Sequence, residues 1–124
     1  MAHGQMTHVE LPADDPARAR RFYEGLFGWE FGEMPEFPNY LLFSFGTIDR
    51  AGGAIGLRDQ SAPHQLRLYF EVDSIDDVLP KVTGLGGKVV EPKVEIPGQG
   101  WFAVVDDSEG NQVGLYENAP NSAM

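Results

Sequence analysis

The stretch HVELPADDPARARRFYEGLFG, residues 8–28, decides the fold. It opens by alternation: Val9 and Leu11 share one face, and His8, Glu10 and Pro12 share the other. A period of two with one apolar side is a strand lying on a core. At Asp15 the period changes. Asp15 can accept a hydrogen bond from a free N–H of a helix's first turn, and Pro16 at the first helical position forgoes a donor that would be idle there. Ala19, Phe22, Tyr23 and Leu26 then recur at three- and four-residue spacing as one apolar stripe, and Gly28 ends the helix. The reading is a strand over Met6 to Pro12 that feeds a helix packed on its Val9 and Leu11 side. Trp29 and Phe22 are expected in the core.

Working outward, Trp29 to Phe31 begins an extended segment, and Tyr40 to Phe45 is an aromatic strand. Gly52 and Gly53 are expected to turn the chain into a strand over Ala54 to Leu57. The same order then returns. Leu66 to Val72 is a strand. Ser74 with Asp77 resembles a capping box. Ile75, Val78, Leu79, Val82 and Leu85 form a helical stripe, closed by Gly86 and Gly87. Pro80 predicts a tight or kinked start to that helix. Lys88 to Val94, Trp101 to Val105 and Gln112 to Tyr116 supply three more strands, with a loop at Pro97-Gly98-Gln99-Gly100.

The order is therefore βαβββ twice, and the letters repeat with it. HVELPAD (8–14) aligns with RLYFEVD (67–73), and GGAIGL (52–57) aligns with GNQVGL (110–115). Agreement in order and spacing points to an internal duplication. The expected architecture is one α+β domain over 1–124, with module one at about 5–60, module two at about 65–118 and Ser61-Ala62-Pro63 between them. Its two tandem βαβββ modules would form a curved mixed sheet.

A chain of 124 residues suits one domain. With 19 acidic against 9 basic residues, the net charge of -10 would repel nucleic-acid phosphates. There is no cysteine, which excludes disulfides and thiolate chemistry. No stretch approaches the ~20 apolar residues of a membrane helix, and MAHGQMTHVE has no apolar run like a signal peptide. Cytoplasmic residence, with neither nucleic acid nor membrane as partner, is the expectation.

THVELPADDPARARRFYEGLFGWEF, VDSIDD and DDSEGNQVGLYE together resemble the glyoxalase/bleomycin-resistance/dioxygenase (vicinal oxygen chelate) superfamily over nearly the whole chain. Ser108 stands where that family usually has proline. The resemblance implies the two-module fold and a homodimer. In members with metal, it implies four side-chain ligands, one from each of two strands per module. By the alignment above those positions hold His8, Gly56, Arg67 and Gly114. Glycine has no donor atom and arginine is a permanent cation, so only His8 can ligate. His64 and Glu117 lie three positions from the expected ones, an odd number that in a continuous strand turns them to the wrong face, where only a bulge or loop would bring either back. The expectation is no cofactor, with a divalent metal as the alternative.

The polar strand faces suggest a small-molecule site instead, on the concave side of the sheet. Its candidates are His8, Glu10, Gly56, Arg67, Tyr69, Trp101, Gly114 and Tyr116. Arg67 would grip a carboxylate or phosphate, or else pair with Glu10 or Glu71. The glycines would leave room, and Tyr69, Tyr116 and Trp101 would stack on the ligand. His8 is the one candidate catalytic base. No phosphate loop, nucleophile elbow or zinc-protease signature occurs. Three functions follow. The first is metal-independent binding of a small anionic or aromatic molecule. The second is an enzyme like glyoxalase (lactoylglutathione lyase) or a dioxygenase. The third is a non-catalytic, dimeric interaction module.

Overall fold

A computed structural model describes residues 3–45 and 52–120 of the chain. The fold is α+β, with two βαβββ modules in chain order. The first holds β1 (Met6–Ala13), α1 (Pro16–Phe27), β2 (Glu30–Met34), β3 (Phe37–Ser44) and β4 (Gly52–Leu57). The second holds β5 (Arg67–Glu71), α2 (Ile75–Gly84), β6 (Lys88–Ile96), β7 (Gly100–Asp106) and β8 (Gln112–Asn118). The first module's strands lie in the order β2-β3-β4-β1, with β1 and β4 parallel and the other pairs antiparallel. The second repeats this wiring as β6-β7-β8-β5, with β5 and β8 parallel. Two compact units result, Thr7–Leu68 and Tyr69–Met124 with Met1–Met6. The N-terminal residues join the second unit through Gly4 N–H to the Glu71 carbonyl (2.7 Å) and Glu71 N–H to the Gln5 carbonyl (2.9 Å). Among the described residues, no helix is long and apolar enough to cross a membrane.

Local signals act as their chemistry dictates. The Asp15 carboxylate accepts from Arg18 N–H at 3.1 Å, Pro16 occupies the first turn, and Gly28 closes α1 at φ 72°. Ser74 Oγ accepts from Asp77 N–H at 3.2 Å and starts α2. The helix runs through Pro80 as one element, although that residue cannot donate to the Asp76 carbonyl.

Each unit has its own core. In the first, Ala13, Phe43 and Ile55 are buried, with Val9, Leu11, Tyr23 and Trp29 against them. Trp29 stacks on Phe43 at 4.4 Å. In the second, Val72, Ile75, Ala103, Val105 and Leu115 are buried beneath Val78, Leu79 and Val82 of α2. Phe22 departs from expectation. It is 60% exposed and Leu26 is 59% exposed. Ala19 and Tyr23 meet the core, and the 100° step per residue carries Phe22 and Leu26 around to the rim.

Two further corrections concern β4. Gly52 and Gly53 lie inside the strand rather than in a turn. A Cβ on Gly52 would strike the Phe43 carbonyl oxygen, and one on Gly53 the Val9 carbonyl oxygen. These glycines let a central strand approach both neighbours closely. The second correction is the repeat register. His8 and Arg67 each stand seven residues before a helix cap, Asp15 and Ser74, so they correspond. Leu11 pairs with Ile55 and Phe70 with Leu115. Ala54, not Gly56, is therefore the counterpart of Gly114, and the letter match of GGAIGL to GNQVGL is two residues out. A shift of two keeps the same strand face, which is why alternation alone could not reveal it.

Candidate functional site

The site grows from the face of β1 opposite the core, which carries His8, Glu10 and Pro12. Cross-strand partners share a face. Tyr40 on β3 pairs with Gly56 on β4, which pairs with Pro12, and Leu42 pairs with Ala54, which pairs with Glu10. Tyr40 thus stands on the same side as His8 and Glu10, with one strand between them. That strand presents only Ala54 and Gly56 there, so the long tyrosine side chain can reach across it.

Its hydroxyl donates to Glu10 Oε2 at 2.7 Å and lies 2.9 Å from His8 Nε2. The two rings are stacked, with centroids 6.3 Å apart. Arg67 Nη1 donates to Glu10 Oε1 at 3.4 Å. Glu10 is 8% exposed, so its two oxygens are divided between a phenol and a guanidinium with little water. Of the two readings of Arg67, the ion pair with Glu10 is formed. Burial pushes the His8 imidazole down to about 4, which leaves it neutral at pH 7.

Other candidates stand elsewhere. Gly56 does not open a space, because Ala62 fills it: a Cβ at Gly56 would lie 2.7 Å from that of Ala62. Ser61 pins this loop by accepting from Leu57 N–H at 2.8 Å and donating to the Asn39 carbonyl at 2.6 Å. Gly114 likewise makes room for protein, since a Cβ there would collide with the Tyr69 ring. Tyr69 is itself only 7% exposed, packed down rather than offered as a stacking surface. Tyr116 shares the Gly114 face and donates its hydroxyl to the Gln99 carbonyl at 3.1 Å, tying β8 to the loop before β7. Burial and the neighbouring Glu71 charge raise its phenol above the ordinary range.

Trp101 is on the wrong side for a polar site. It pairs with Glu117 on β8, packs on the core beneath α2, and carries Lys93 over its ring at 4.7 Å. Glu117 turns the same way and accepts from Ile75 N–H at 2.8 Å, capping α2. His64 Nδ1 pairs with Asp59 at 3.0 Å, and His3 accepts from Asp73 N–H at 3.1 Å. A hollow of about 380 Å³ beside α2, lined by His3, Asp73, Asp77, Lys81 and Leu85, includes none of the site candidates.

The structure therefore gathers His8, Glu10 and Arg67 in the first unit and adds Tyr40, which alternation alone marks only as part of an aromatic strand. Its signal was present: Tyr40 alternates with core-facing Leu41 and Phe43. Its partners required the strand order.

The corrected ligand position, Ala54, offers a methyl group. His8 Nε2 is turned to Tyr40, and Glu10 serves Tyr40 and Arg67. Among the described residues no three His, Asp or Glu side chains cluster as ligands.

Residues 5–46 match the family model for the bleomycin resistance protein-like N-terminal region. A glyoxylase-like domain-containing protein of Didymella fabae is 30% identical over 115 residues, covering 88% of this chain and 90% of that protein. CFP32 of Mycobacterium bovis is 31% identical over 119 residues, covering 92% of this chain. The chain spans about half of that relative's length, 46%. Methylmalonyl-CoA epimerase from Mycobacterium tuberculosis superposes with a TM-score of 0.71 at 18% identity, over 99% of this chain and 95% of that one. That likeness is one of fold.

Proposed function

The chain belongs to the glyoxalase/bleomycin-resistance/dioxygenase superfamily, and from that premise we propose that it binds a small organic anion without a resident metal ion. The observation that carries the proposal is the Arg67 to Glu10 contact of 3.4 Å, made in a site with little water. A guanidinium held on a polar strand face is suited to a carboxylate or phosphate that presents two oxygens to it. His8 supports binding over catalysis. A base held near 4 accepts protons poorly from weak acids at neutral pH.

The test is elemental analysis of untagged protein, with thermal shift in benzoate and in phosphate. The expected result is no stoichiometric metal and a rise in Tm with one anion that Arg67→Ala abolishes while staying folded. Stoichiometric metal that is lost in His8→Ala would refute the proposal and favour the enzyme reading.

A second reading, a dimeric interaction role, is favoured by one observation, the exposure of Phe22 and Leu26 at 60% and 59%. A homodimer in the cytoplasm is compatible with both readings and belongs to the proposal.

A further inference from the structure

We propose that Tyr40 and Glu10 are positioning residues that hold the His8 imidazole as its Nε2–H tautomer. A carboxylate facing a guanidinium can only accept, and Arg67 Nη1 donates to Glu10 Oε1. The other oxygen of Glu10, at 2.7 Å from Tyr40, must then receive the tyrosine's single proton. With that proton spent, Tyr40 presents only lone pairs to His8. The 2.9 Å contact between the tyrosine oxygen and Nε2 closes as a hydrogen bond only if the proton sits on Nε2. The imidazole is neutral, so the same step places the ring's lone pair on Nδ1.

The backbone makes this arrangement possible. Tyr40 crosses β4 where that strand presents Ala54 and Gly56. The direction of the chain of hydrogen bonds is fixed at its far end by Arg67, which cannot give up its charge. Whatever meets the second edge of the imidazole therefore meets an acceptor. A hydroxyl, amide N–H or ammonium at that edge, from the protein or from a ligand, is favoured over a carbonyl. The consequence for a ligand rests on the binding proposal above, whereas the tautomer does not.

The experiment is long-range proton–nitrogen NMR on the full-length, nitrogen-15-labelled chain at pH 7. The three histidines are separated by the signal missing in His8→Gln. The expected spectrum shows His8 as Nε2–H. In Tyr40→Phe, with the backbone amide spectrum retained, loss of the acceptor shifts the tautomer ratio about tenfold toward Nδ1–H, the effect of one hydrogen bond. Nδ1–H in the wild-type chain overturns the inference, even if Tyr40→Phe does not fold. An unchanged Nε2–H signal in folded Tyr40→Phe also overturns it. If neither benzoate nor phosphate binds while His8 remains Nε2–H and shifts in Tyr40→Phe, the binding proposal fails and this inference stands.

Discussion

At the scale of single residues, the energetics centre on His8, Tyr40 and the buried Glu10. His8 titrates near its ordinary 6.5 in the unfolded chain and at about 4 in the folded one. Between those values the unfolded state binds a proton that the native state does not. Stability therefore falls as pH drops through this window and levels off below it. From pH 7 to pH 5 the loss should be about 2 kcal/mol, and His8→Gln should flatten that slope in urea denaturation. Tyr40→Phe removes one oxygen that serves both His8 and Glu10, and leaves a charged carboxylate short of a donor. A cost of about 1–3 kcal/mol is expected, measurable by the same denaturation. The corresponding steric prediction is Gly114→Val. It must displace the buried Tyr69 ring and should lower Tm, with intrinsic tyrosine fluorescence reporting the move.

At the scale of elements, the two helices are held differently. α2 is capped by Ser74 and by Glu117, which reaches from β8 to Ile75 N–H. Glu117→Ala should cost about 1 kcal/mol, read as a lower urea midpoint, because it orphans a donor and removes an acid near the positive helix end. α1 has no buried residue, and only one edge of it meets the core. Tyr23→Ala should therefore be strongly destabilising, while Phe22→Ser should leave the urea midpoint nearly unchanged. Both residues belong to one stripe at helical spacing. Periodicity finds the stripe, but the roll of the helix on its sheet decides which residues it buries.

At the scale of the whole molecule, duplication explains why the fold was readable and the site was not. Cap chemistry and alternation placed nearly every strand and both helices, because each follows from contacts a few residues apart. Repetition then made the two readings check each other. The register between the copies escaped by two residues because such a slip leaves every face unchanged. The same limit hid Tyr40 from His8 and Glu10, which are 32 and 30 residues away in sequence. If Phe22 and Leu26 form a self-association face, sedimentation should show a dimer that Phe22→Glu dissociates without lowering Tm.

By itself, the sequence determined the α+β class, the twofold βαβββ order, the caps at Asp15, Ser74 and Gly28, and the polar identity of the His8 and Glu10 face. These depend on local dihedral preference and on the two- and 3.6-residue periods. Only the tertiary structure decided that Ala62 fills the space at Gly56 and that Tyr69 fills the space at Gly114. It also turned Trp101 toward the core and brought Tyr40 across β4 to His8 and Glu10. Each of these is a contact between segments whose approach depends on strand order and register. A side chain's type says what it can bond to, but the fold decides which partner comes within 3 Å.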